Sequence, residues 1–173
     1  MTFWRKWFAE TKPSLPSYRV PQGETIYAVG DIHGRADLLL KLVSKIKDDI
    51  QSAPSGQKVT LIFLGDYIDR GFHSREVIEA LLSLDIPEAE IVFLAGNHED
   101  MLLNFLDDPA NGQLWLGVGG LAALASYGVY VAEDSDVDAL LQASNELKIK
   151  MPDSHLAFLK NLREDHRIGD YYF

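Results

Sequence analysis

The chain reads as an α/β domain, the N-terminal part of an αββα sandwich with a mostly parallel sheet flanked by helices. Three observations predict it. Short apolar runs at Glu24–Val29, Lys58–Leu64 and Ile91–Ala95 alternate with stretches whose apolar residues recur every three or four positions. That alternation is the mark of parallel strands joined by helical crossovers. The runs lack strict polar–apolar alternation, as strands covered on both faces do. Each run also ends in a polar, glycine-bounded cluster: Gly30-Asp31-Ile32-His33-Gly34, Gly65-Asp66-Tyr67-Ile68-Asp69-Arg70-Gly71 and Gly96-Asn97-His98-Glu99. Open α/β sheets bind ligands at the carboxyl ends of their strands, so the same observation predicts a site.

The elements follow in order. Residues 1–23 form a lead-in and residues 24–173 the domain. Phe3, Trp4, Trp7 and Phe8 flank Arg5 and Lys6 in one or two amphipathic turns. Such a segment packs on the domain or trails as a tail, with a membrane-surface anchor as the alternative. Pro13, Pro16 and Pro21 keep the following stretch extended. A helix fits Ala36–Ile50, burying Leu39, Leu42, Val43, Ile46 and Ile50. Pro54 and Gly56 mark a loop at Ser52–Gln57. Ser74 caps a second helix through about Leu84, and Pro87 breaks the chain before the third strand. A third helix runs through Leu106. Beyond it, Asp107–Gly112 is a loop, and a helical stretch starts near Gly119 or Gly120. Asp136–Lys148 is a surface helix, Pro152 and Asp153 open another, and Ile168–Phe173 begins a strand.

Composition excludes several functions. With 173 residues the chain builds one domain with a sizeable core. A net charge of −10 opposes general nucleic-acid binding, which needs a basic face. The absence of cysteine removes disulfides, thiolate metal sites and thiol nucleophiles. No run approaches the ~20 apolar residues of a membrane span, and the first residues lack the apolar core of a secretory signal. The expected location is cytoplasmic.

Asp31, His33, Asp66 and Asn97 form an oxygen-and-nitrogen ligand set suited to manganese, with iron or zinc as alternatives. A carboxylate shared by two ions holds them ~3.5–4 Å apart, as in two-metal hydrolytic sites. Two cations lower the pKa of a shared water and neutralise phosphoryl charge. Arg70 offers bidentate bonds to phosphate oxygens. His98 is the candidate general acid, with Asp69 orienting its ring. Each residue has a blander reading beside it. Asp or Asn next to Gly is ordinary turn chemistry, and Glu99 has a role in charging the start of the third helix. Three such clusters at three successive strand ends outweigh the turn reading. His73, His155 and His166 are read as structural or solvated.

Together the three clusters resemble the signature motifs of the phosphoprotein phosphatase family. This is the serine/threonine phosphatase branch of the calcineurin-like metallophosphoesterases, and the likeness runs from about Glu24 to the end, with bacterial members similar in Trp115–Gly128 and Pro152–Phe173. The resemblance implies Asp31 and His33 on a first metal, Asp66 bridging two divalent ions, and Asn97 on the second. His98 paired with Asp69 would be the acid, and Asn97, His98 and Arg70 would meet the substrate. It implies hydrolysis of a phosphoprotein or small phosphoester. Asp69-Arg70-Gly71 and Glu99 favour this branch over diadenosine tetraphosphate hydrolases. In the family, a strand like Gly169–Phe173 leads into a further histidine ligand. The resemblance therefore implies a C-terminally truncated chain with weak activity, and a non-catalytic metal- or phosphate-binding fragment is the rival reading.

Overall fold

Three strands, β1 (Glu24–Val29), β2 (Lys58–Phe63) and β3 (Ala89–Phe93), pair in parallel in the order β1-β2-β3. Val29 lies opposite Phe63, and Phe63 opposite Phe93, so the strands stop in line. The three polar loops therefore leave the sheet side by side. The computed structural model describes residues 18–54 and 56–173. The predicted aromatic segment, Pro13, Pro16 and Ser55 lie outside the described residues.

The helices gather on one face. α1 (Ala36–Ser52) buries Leu39, Val43, Ile46 and Ile50, and α2 (Ser74–Leu82) buries Val77, Ile78 and Leu81. α3 (Asn97–Asp107) buries Leu102, Phe105 and Leu106. They meet Val59, Leu61 and Phe63, the alternate residues of β2, in the main core. Each such aliphatic or aromatic side chain contributes roughly 1.5–3 kcal/mol on burial, which anchors the central strand. Ile62, Val92 and Leu94 point the other way and meet Ile168, with Ile26 and Phe173 at the edge. The expectation of strands covered on both faces holds, but by different means: the second face is covered without helices among the described residues.

Beyond α3, a 3₁₀ turn at Pro109–Asn111 leads into α4 (Gly112–Trp115), a wide turn at Leu116–Gly120 and α5 (Leu121–Ser126). Gly119, at φ +125°, breaks this run. The helical start expected near Gly119 or Gly120 matches α5, while the turns at Gly112–Gly120 before it were not expected. α6 (Val137–Lys150) is capped by Asp136 and packs on α3. It is the expected surface helix, exposed over most of its length, with Leu140, Ala143 and Leu147 forming its buried stripe. α7 (Asp153–Lys160) follows, then an antiparallel hairpin of β4 (Arg167–Ile168) and β5 (Tyr171–Tyr172) turning at Gly169. The single strand expected at Ile168–Phe173 is thus split in two. β3 lies two residues earlier than expected, since exposed Glu90 interrupts its apolar run, while Leu94 and Ala95 pair with Arg163.

Candidate metal and phosphate site

The loop after β1 is stitched to the loop after β2 by backbone alone. The Ile32 and His33 amides donate to the Asp66 carbonyl at 3.0 and 2.9 Å, and Gly34 donates to Tyr67 at 2.9 Å. Gly71 donates back to His33 at 3.1 Å. Glycine is required at this crossing, since a Cβ on Gly34 would strike the Gly71 carbonyl. Among the described residues, the non-glycine positions at positive φ are His33 (+44°), Asp66 (+53°), Asp69 (+72°) and Arg70 (+61°). All four were singled out from sequence. Each such conformation costs of order 1–3 kcal/mol and persists only where surrounding contacts impose it.

Glu99 supplies much of that constraint. It is fully buried, and its carboxylate accepts four backbone N–H groups. Oε1 takes those of Tyr67 (2.8 Å) and Ile68 (3.3 Å), while Oε2 takes those of Asp66 (2.9 Å) and Gly96 (3.0 Å). Burial raises its pKa, and the four donors oppose that rise. Its sequence reading, as a helix-start charge, caught the bond to Gly96 but missed the clamp across to the β2 loop.

His33 and His98 meet edge to face, their ring centroids 4.7 Å apart. His33 Nδ1 donates to the Ile68 carbonyl at 2.9 Å, which leaves a lone pair on Nε2. That Nε2 is buried without a hydrogen-bond partner. His33, Asp66 and His98 each offer a ligand atom within 4.8 Å of one another. The exposed Asp31 carboxylate stands 3.5 Å from His33 Nε2. An unpartnered imidazole nitrogen aimed among carboxylates fits a divalent metal ion, as does the all-oxygen-and-nitrogen donor set. Asn97 opens α3 on the exposed rim, as does Arg70 at the end of the β2 loop.

His98 Nδ1 donates to Asp69 Oδ2 at 2.6 Å, and the Arg70 guanidinium donates to His98 Nε2 at 3.3 Å. Asp69 is fully buried; burial raises its pKa, against hydrogen bonds from His98 and from the Trp115 indole. The Trp115 N–H reaches Asp69 Oδ2 at 2.7 Å. Sequence reasoning missed Trp115, which looks like any apolar residue in an apolar stretch. Ser74 had been expected to cap α2, but its hydroxyl accepts the Asp69 amide at 3.0 Å. The other histidines stand apart. His73 is exposed beside Glu76, and His166 is half-buried in the hairpin. His155 is buried against the Tyr127 hydroxyl at 2.9 Å, where burial lowers its pKa.

The chain is similar to known proteins. The chain is 41% identical over 88 residues to the serine/threonine-protein phosphatase PP2A-like PPG1 of Candida albicans, covering 50% of this chain and 18% of that protein. It is 36% identical over 93 residues to serine/threonine-protein phosphatase 5 of Arabidopsis thaliana, covering 53% and 16%. It is 37% identical over 81 residues to the asymmetrical bis(5'-nucleosyl)-tetraphosphatase PrpE of Anoxybacillus flavithermus, covering 44% and 32%. The aligned region is thus a third or less of each of these relatives. Residues 24–167 match the calcineurin-like phosphoesterase family as a whole, with the three loops inside the match. On that match, the chain belongs to the calcineurin-like phosphoesterases.

Proposed function

We propose that the chain carries the metal-binding site of a phosphatase acting on phosphate monoesters, foremost phosphoserine or phosphothreonine in proteins. The observation that carries this reading is the convergence of His33 Nε2, Asp66 and His98 beside the Arg70 guanidinium. Asp31, His33 and Asp66 would hold one divalent ion, and Asp66 with Asn97 a second; manganese suits these donors, as do iron and zinc. When bound, such ions acidify a water and neutralise phosphoryl charge. Arg70 presents paired N–H donors to phosphate oxygens from the rim. His98, anchored to Asp69 through Nδ1, holds a proton on Nε2 for the leaving oxygen once Arg70 has turned to phosphate. The similarity to PrpE favours a second reading, a nucleotide phosphohydrolase.

Among the described residues, the Asn97 side of the site has two ligand candidates against three on the His33 side. Elemental analysis of the purified chain is therefore expected to find fewer than two tightly held ions. With Mn²⁺, residues 1–173 are expected to cleave a phosphopeptide and p-nitrophenyl phosphate slowly, and Asp66→Asn to abolish that cleavage. Preferential cleavage of diadenosine tetraphosphate in a parallel assay would move the chain to the nucleotide reading. Phosphopeptide binding without turnover, lost in Arg70→Ala, would make it a binding module. No described helix is long and apolar enough to cross a membrane.

A further inference from the structure

We propose that Trp115 is a positioning residue, whose indole N–H aims the Asp69 carboxylate and, through it, the His98 imidazole. The inference rests on reading His98 as the proton donor of the site. Asp69 has no exposed surface, so its orientation depends on the donors the fold supplies. Oδ2 receives two, His98 Nδ1 at 2.6 Å and Trp115 Nε1 at 2.7 Å, while buried Oδ1 has no partner. Trp115 is therefore the only hydrogen-bond donor to that carboxylate from outside the dyad among the described residues. Phenylalanine or leucine would fill much of the same space, but neither carries a donor.

The indole itself is held fast. It is 1% exposed, and its ring lies 5.0 Å from that of Phe105. Its other neighbour is Gly120, where a Cβ would come within 2.6 Å of ring atoms Cδ2 and Cε2. The break in the helix at Gly119 serves the next loop residue too. The Gly119 carbonyl accepts the Arg70 amide at 3.1 Å, and a Cβ there would press within 2.8 Å of Arg70. One short stretch thus grips Asp69 and Arg70 in succession, and both are at positive φ. The plainer account is that a buried indole N–H needs some acceptor. In that case losing the N–H weakens the fold but leaves His98 as it was.

Nitrogen-15 NMR of the His98 ring in the metal-free chain separates the two accounts. Trp115→Phe keeps ring bulk and removes the donor, whereas Gly120→Ala keeps the donor and displaces it. Both are expected to cause loss of the low-field Nδ1–H resonance and a shift of the ring nitrogens toward a mixed tautomer. An unchanged His98 spectrum in folded Trp115→Phe, whatever its stability, overturns the proposal. Should that variant fail to fold, β-(3-benzothienyl)alanine at position 115 preserves the indole shape without the N–H and is judged by the same spectrum. Inorganic phosphate binding with Mn²⁺ is measured alongside on the wild-type chain. If phosphate does not bind, the phosphatase reading fails, and the His98 spectrum still decides the role of Trp115.

Discussion

The two ends of the Asp66–Arg70 loop are held in different ways. At its front, Asp66, Tyr67 and Ile68 donate backbone N–H groups to one buried carboxylate, Glu99. At its back, the Asp69 carboxylate is itself the acceptor, and its donors are the side chains of His98 and Trp115. Both carboxylates are fully buried. Glu99 is saturated by main chain that has no other acceptor there, so its work is to hold a shape. Asp69 keeps one oxygen unpaired and gathers both of its side-chain donors on the other. The front end is held by main chain on a saturated carboxylate, and the back end by side chains on one half-filled carboxylate.

That contrast can be broken by measurement. The largest effect is expected for Glu99→Gln, which turns an NH₂ group toward buried amides. Leaving even two of them unsatisfied at ~1–3 kcal/mol each predicts about 2–6 kcal/mol of lost stability in guanidinium unfolding. Gly34→Ala tests the backbone stitch between the two loops. A positive φ of +64° and a collision with the Gly71 carbonyl predict a loss of about 2–3 kcal/mol, read as a lower midpoint with an unchanged m-value. Asp69→Asn is expected to be the mildest. The weakened bond to His98 is offset by relief of a buried charge, so stability should stay within about 1 kcal/mol of the parent. Equal losses in Glu99→Gln and Asp69→Asn would erase the distinction between the two ends of the loop.

The strands and the polar loops were legible because both rest on local signals. β1 matches its expected bounds and β2 is one residue shorter, since apolar runs closed by Gly30 and Gly65 are strong boundaries. The positions of Asp31, His33, Asp66, Asp69, Arg70, Asn97 and His98 at one end of the sheet followed from the same runs. What escaped detection was long-range. The Glu99 clamp and the Trp115–Asp69 bond join residues more than thirty positions apart, and nothing in Glu or Trp alone announces its acceptor or donor. Which residues of α6 are buried escaped for a related reason. Leu140, Ala143 and Leu147 form a narrow stripe, and its depth depends on α3 lying across it.

The flush ends of the three parallel strands bear on the order in which the molecule can fold. Two of the contacts that shape the site span loops brought together by the sheet: Ile32 to Asp66, and Asp66 to Glu99. Neither can reward the chain before β1, β2 and β3 have found their register, and such non-local pairings form slowly. The positive-φ conformations of His33 and Asp66, imposed by those contacts, are expected to form only after the sheet is in register. The sheet and its helices come first as a plain apolar scaffold, and the chemistry is set into its rim afterward.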